Sequence, residues 1–170
     1  MCAGPDLGSD VLVFDALATR ARTTPEELVE RLHQMLDLVT GRLFNYSSVH
    51  QTWWRWSEIA FGMTDWTSKT TAAADTLARI YLDRSEPAAA RDIAERGLVA
   101  DPLNAALTEV LMEAYADLGA LEALQRVYES HDRQLDMSDL GGASNETKLV
   151  LERLRSHASR SVTTATKAAS

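Results

Sequence analysis

The hydrophobic positions of this chain recur with the spacing of amphipathic helices. Thr24 is a favourable N-cap, Pro25 suits the first helical position and Glu27 stands at the capping-box position. The apolar residues that follow are three or four positions apart and share one helical stripe: Leu28, Leu32, Met35, Leu36, Val39 and Leu43. The pattern predicts a helix that begins after Thr24 and buries this stripe.

Weaker helical patterns flank this segment. Residues 1–9 contain Gly, Pro and Ser and are predicted to be a flexible N terminus. Asp10 can cap a short helix with Phe14 and Leu17 on one face. Another helix is predicted from about Gln51, and the Ala-rich stretch after Trp66 predicts helix through residue 84.

An internal repeat organises the second half of the chain. The segment 77–102 predicts two helices joined by a turn at Ser85, and shifting the sequence by 34 positions superimposes it on the segment that follows. The matched pairs are Leu77 and Leu111, Tyr81 and Tyr115, Asp83 and Asp117, Ser85 and Gly119, Ala89 and Ala123, and Glu95 and Glu129. The tetratricopeptide repeat, which is a pair of antiparallel helices, has the same period. The chain is therefore predicted to be all-α, a tetratricopeptide-like array of about seven or eight helices.

The two units differ in their second helix. Small Ala90 and Gly97 are predicted to let the helices of the first unit approach closely, whereas Leu124 and His131 stand at the matching positions of the second. Ser144 then caps a final helix after a Gly-rich loop. The low-complexity residues 158–170 are predicted to be disordered, so the predicted domain spans residues 10–157.

These features together resemble the bacterial transcriptional activator domain, the tetratricopeptide-like module of actinobacterial antibiotic-regulatory activators. The resemblance runs over about Val11–Arg155 and is most specific over Leu77–Leu154. It includes a string before the last helix formed by Leu140, Gly141, Ser144, Glu146 and Thr147. The family has Pro where Ala143 stands here, and its winged-helix DNA-binding domain is absent from this chain.

The resemblance implies the regulatory or oligomerising half of a transcriptional regulator, which holds a protein partner or a second copy of itself as a homodimer. The alternative is a scaffold or dimerisation module of an envelope-associated or signalling protein, with no role at promoters. A winged helix upstream would favour the first interpretation, and an apolar anchor would favour the second.

Composition argues against nucleic-acid binding, an intramolecular disulfide and a membrane span. The formal net charge is -8 and no basic block is present, so direct binding of nucleic acid by this chain is not expected. Cys2 is the only cysteine, which excludes an intramolecular disulfide and suits a cytoplasmic protein. No window approaches eighteen apolar residues, so no membrane span is predicted.

Enzymatic chemistry is not predicted either. The histidines lie on different predicted elements, and none has a second ligand at a metal-binding spacing: His33, His50, His131 and His157. His131 is expected at a buried or half-buried packing position. No phosphate-binding loop or nucleophile motif is present. The expectation is a protein without catalytic residues, metal or cofactor.

Two patterns could contact a partner. Trp53 and Trp56 share one helical face whereas Trp54 points elsewhere, so hydrophobic cover and a partner contact through Trp54 both remain open. A nucleic-acid surface or an interfacial anchor would need more basic surroundings. The second pattern recurs with the period of the repeat and comprises Asp75, Arg79, Asp83, Glu109, Glu113 and Asp117. It predicts either a solvated helix face or an acidic groove for a basic partner segment.

Overall fold

A computed structural model describes residues 10–19, 24–39 and 63–168. Within these ranges the regular structure is entirely helical, which confirms the all-α prediction. The helices are α1 (Asp10–Thr19), α2 (Pro25–Asp37), α3 (Met63–Asp83), α4 (Pro87–Ala100), α5 (Ala105–Asp117), α6 (Leu121–Met137) and α7 (Asn145–Ala168). The predicted flexible N terminus, residues 1–9, lies outside the described ranges.

The helices pack in chain order and form two rows. Short turns join α3 to α4, α4 to α5 and α5 to α6, and the helices of each pair are in extensive contact and therefore antiparallel. In the odd row (α1, α3, α5 and α7), α5 contacts α3 and α7, and Phe14 of α1 stacks on Trp66 of α3 at 5.2 Å. In the even row (α2, α4 and α6), Arg96 of α4 pairs with Asp37 of α2 at 2.9 Å.

The period of the sequence is also a period of the backbone. Helices α3 and α5 end at Asp83 and Asp117, and α4 and α6 begin at Pro87 and Leu121. Both helix boundaries at the turn of the second unit therefore lie 34 positions after their counterparts in the first. The two helical hairpins have the same turn length and the same register.

Both hairpin turns close with the same hydrogen bonds. Ser85 and Gly119 have left-handed φ angles of 60° and 70°. The next residue in each turn donates its backbone N–H to the carbonyl oxygen of Tyr81 at 2.8 Å or Tyr115 at 2.9 Å. This is the Schellman pattern of helix termination. It explains why a small residue recurs here, since the left-handed conformation penalises a bulky side chain.

Gly97 sets the packing of three helices. A Cβ atom at this position would lie 2.6 Å from the Cβ of Ala74 on α3 and 2.7 Å from Cδ1 of Leu107 on α5. Gly97 and Ala90 are both buried on α4, which agrees with the predicted close approach. The backbone of α4 thus lies directly against side chains from both of its neighbours.

The second unit places a polar contact where the first has Gly97. His131 and Thr108 are the counterparts of Gly97 and Ala74 in the repeat, and Oγ1 of Thr108 lies 3.3 Å from Nδ1 of His131. His131 is 4% exposed, which confirms its predicted packing position. Burial holds the pKa of His131 below its ordinary value, although Asp132 and the Pro102 carbonyl act in the opposite direction.

The core divides into two connected clusters. The larger cluster joins α1 to α5 and contains Phe14, Leu36, Leu77 and Leu107, all nearly fully buried. The smaller cluster joins α5, α6 and α7 through Met112, Leu124 and Leu151. Burial of these apolar side chains is the main favourable contribution to folding. Leu151 is therefore part of the attachment of the last helix to the array.

Several helix boundaries were predicted correctly. Around Thr24 the capping box is present, since Glu27 N–H donates to Thr24 Oγ1 at 3.4 Å and Thr24 N–H donates to Glu27 Oε2 at 3.2 Å. At α7, Thr147 N–H donates to Ser144 Oγ at 3.1 Å, as expected of the predicted N-cap.

Two predicted boundaries differ from the structure. Helix α2 ends at Asp37, before the stripe position Val39, because the following Val, Thr and Gly are weak helix formers. Helix α7 continues to Ala168, whereas residues 158–170 were predicted to be disordered. No Gly or Pro occurs between 158 and 168, so nothing in that stretch forces a helix to stop.

Gly97→Ala tests the three-helix contact. We expect it to lower the free energy of unfolding by about 1–2 kcal/mol, since overpacking outweighs the gain in helix propensity. Urea denaturation gives the value. The matched control is Gly97→Ala combined with Ala74→Gly, which removes one of the two clashing atoms and should lose less stability than the two single changes summed. A single variant as stable as the native chain would contradict the close packing.

Ser85→Gly tests the left-handed turn. We expect it to raise the free energy of unfolding by about 0.5–1 kcal/mol, because glycine adopts positive φ without the penalty of a Cβ. Gly119→Ala at the matching turn should lower it by a similar amount, although a Cβ there has no heavy atom within 4 Å. Thermal and urea unfolding of both variants measure the effect. Equal signs for the two changes would show that the turns are not equivalent.

Candidate functional site

The six charged residues of the repeating pattern lie on two neighbouring helices of the odd row. Asp75, Arg79 and Asp83 belong to α3, and their counterparts belong to α5. The six positions therefore lie on two helices that contact each other. Their individual surroundings differ, and these differences decide which charges are open to a partner.

Asp75 and Arg79 form a closed pair on α3. Nε of Arg79 donates to both carboxylate oxygens of Asp75 at 3.0 Å. This hydrogen bond is the main reason that the pKa of Arg79 is raised above its ordinary value. The charges of Glu113 and Glu109 raise it further, so the carboxylates of α5 lie within electrostatic reach of Arg79.

Glu113 and Glu109 are engaged by the last helix. Arg153 of α7 donates from a terminal guanidinium nitrogen to Glu113 Oε1 at 3.0 Å. The hydroxyl of Thr147, a buried residue of α7, donates to Glu109 Oε1 at 3.2 Å. Two of the carboxylates predicted to line a groove are thus partly occupied by the protein itself.

Charge alternates along the odd row as a result. Arg79 on α3, Glu113 on α5 and Arg153 on α7 stand on three successive helices of the row. The sequence predicted five carboxylates and one Arg at this surface, and the structure adds Arg153 as a second cation. Nothing in the sequence pointed to Arg153, because its distance from Glu113 along the chain does not match the period of the repeat.

Asp83 and Asp117 are the open carboxylates of the six. Both are exposed, and neither carboxylate has a hydrogen-bond or ion-pair partner in the part of the chain that the structure describes. Each is the last residue of its helix, where the negative end of the helix dipole disfavours a carboxylate. Folding alone gives no reason for an acidic residue at these two equivalent positions.

The predicted contact residue Trp54 lies outside the described residues, as do Trp53 and Trp56. Its exposure and its role as a partner contact remain predictions.

Metal clusters and membrane spans are absent from the described ranges. Over residues 10–19, 24–39 and 63–168, no group of three or more His, Cys, Asp or Glu side chains is arranged to hold a metal ion. In the same ranges, no helix combines the length and the apolar character needed to cross a membrane.

Comparison with known proteins identifies no relative: no family model, no curated protein and no solved structure matches this chain. The resemblance to the bacterial transcriptional activator domain accordingly remains a prediction from the sequence.

A double-mutant cycle on Glu113→Gln and Arg153→Gln tests the link between α5 and α7. The side chains are 30% and 65% exposed, so we expect a coupling energy of about 0.2–1 kcal/mol at low salt. Urea denaturation of the four proteins measures it, and the coupling should shrink at high salt because the charges are screened. A coupling that is zero at low salt would remove the electrostatic link.

Proposed function

We propose that this chain is a non-enzymatic protein–protein interaction module with a tetratricopeptide-like architecture. Its odd row of helices binds a basic segment of a protein partner. The observation that carries the proposal is the pair Asp83 and Asp117, two exposed and unpaired carboxylates at equivalent ends of neighbouring helices in the described part of the chain.

Rigid display supports this function. The carboxylates stand two residues before Ser85 and Gly119, whose turns are closed by the same hydrogen bonds. The backbone that carries both charges is therefore ordered before a partner arrives. A surface arranged in advance loses little conformational entropy on binding, so more of the interaction energy contributes to affinity.

Electrostatics supports a basic partner. The chain has a formal net charge of -8, which favours encounter with positively charged segments. Asp75 and Glu113 are already paired within the protein, so they contribute less to a new contact. Asp83 and Asp117 can form ion pairs with lysine or arginine of a partner without first breaking an ion pair within the protein.

The cellular setting follows from the sequence resemblance. The module would serve a cytoplasmic transcriptional regulator and would connect a DNA-binding or sensory part to its output. The tetratricopeptide-like assignment is supported by the period of the sequence, which recurs in helix boundaries and in turn geometry. In such arrays each helix pair contacts its neighbours, and the surface of one row is used for binding.

The proposal is tested with a fluorescein-labelled lysine-rich peptide and the chain that carries Asp83→Asn and Asp117→Asn. We expect the double change to weaken binding about fivefold, because each exposed charge pair is worth roughly 0.2–1 kcal/mol. Fluorescence anisotropy at low salt gives the affinities. Glu113→Lys would be a less specific test of partner binding, because it would remove the ion pair with Arg153 and place another cation beside Arg79 and Arg153.

The matched control carries Glu122→Gln and Asp136→Asn, both on α6. Both residues are exposed, and their loss changes the net charge by the same amount but on the even row. The control should bind the peptide with less than a twofold change, taking roughly 0.4 kcal/mol as the limit of a non-specific effect. Equal weakening of both variants would show attraction to net charge only, and the proposed surface would be wrong.

A further inference from the structure

Glu113 stands one helical turn before Asp117, the open carboxylate at the end of α5. Side chains four positions apart on a helix are neighbours, with Cβ atoms about 5–6 Å apart. A basic segment that pairs with Asp117 therefore comes within reach of Glu113 as well. Glu113 is covered, however, because Arg153 of α7 donates to its Oε1 at 3.0 Å.

Buried contacts hold α7 against α5 independently of Arg153. Thr147 is buried and donates its hydroxyl to Glu109 Oε1 at 3.2 Å. Leu151 is 8% exposed and packs into the smaller core cluster. The backbone of α7 is therefore held in place without the charge of Arg153, and Glu109 keeps a buried partner.

The ion pair between Arg153 and Glu113 is, in contrast, at the surface. The side chain of Arg153 is 65% exposed and that of Glu113 is 30% exposed. Exposed ion pairs contribute little net free energy, because each charge also interacts well with water and dissolved ions. The Arg153 side chain can thus turn away from Glu113 while α7 stays packed. Another cation can take its place at a small cost.

We infer that Arg153 is a built-in competitor of the partner, which occupies Glu113 and thereby confines a basic segment to Asp83 and Asp117. The role rests on the proposed function, since a competitor needs a basic partner to compete with. While Arg153 is paired, it neutralises Glu113 and repels a second basic residue of the partner. A partner cation that binds Glu113 has to displace Arg153, so this exchange adds less affinity than binding to an open carboxylate.

The test measures the fluorescein-labelled lysine-rich peptide by anisotropy with the full chain and with its Arg153→Gln variant. We expect the variant to bind about threefold more tightly at low salt, because Glu113 then becomes an open carboxylate beside Asp117. Circular dichroism checks that both chains are equally helical. An unchanged affinity would overturn the role of Arg153 as a competitor.

The gain must also depend on Glu113. The variant Glu113→Gln is therefore compared with the combination of Glu113→Gln and Arg153→Gln. Without the carboxylate no acidic contact is uncovered, so removal of Arg153 should then strengthen binding by at most about 1.5-fold, through weaker screened repulsion. Equal gains with and without Glu113 would show that Arg153 acts only through its charge at a distance, and the competition would be wrong.

The matched control is Arg133→Gln on α6. It removes the same charge from an exposed residue that lies two positions after His131. Since His131 contacts Thr108 in the first turn of α5, Arg133 lies toward the other end of that helix from Asp117. The control should change binding by less than about 1.5-fold. A gain as large as that of Arg153→Gln would overturn the competitor role.

Failure of this role is distinguishable from failure of the proposed function. The combination of Asp83→Asn and Asp117→Asn tests the open carboxylates, and its effect does not require Arg153. If that combination weakens binding but Arg153→Gln gives no gain, the partner surface stands and the competitor is wrong. If Arg153→Gln gives a gain that depends on Glu113 but the two aspartates have no effect, the competitor stands and the partner surface is wrong. Absence of peptide binding by the native chain and by Arg153→Gln would overturn both.

Discussion

The contact at Gly97 is the constraint on which the rest of the array depends. Because this residue has no Cβ, α4 lies against Ala74 of α3 and Leu107 of α5 at once. One position thus sets two helix separations. In an array where each helix contacts mainly its neighbours, the separation of two helices also affects where the next helix of the row lies. At the matching positions the second unit has a buried contact between the side chains of Thr108 and His131 instead.

The last helix completes the array and also changes its surface. Leu151 packs into the smaller core cluster, which brings Arg153 to Glu113 and Thr147 to Glu109. The packing of α7 against α5 therefore also provides hydrogen-bond partners for two carboxylates of α5. Open negative charge is left at the ends of α3 and α5, where the last helix provides no partner for it within the described chain.

The proposed partner surface combines open charge with an ordered backbone. The ends of α3 and α5 present carboxylates on helices whose turns are closed by hydrogen bonds, which suits a cationic segment. Asp75 and Glu113 are paired within the protein, so the open negative charge of the repeating pattern is concentrated at Asp83 and Asp117.

What the sequence determined by itself was local. The capping box at Thr24 and the turns at Ser85 and Gly119 depend on hydrogen bonds between residues a few positions apart, so their residue types predict them. The period of the repeat likewise placed the charged positions on neighbouring helices. Only the tertiary structure decided which of those charges stay open. Arg153 reaches Glu113 because a Gly-rich loop and apolar packing seat α7 on α5, and contacts between residues so distant in sequence follow from packing that no local pattern encodes.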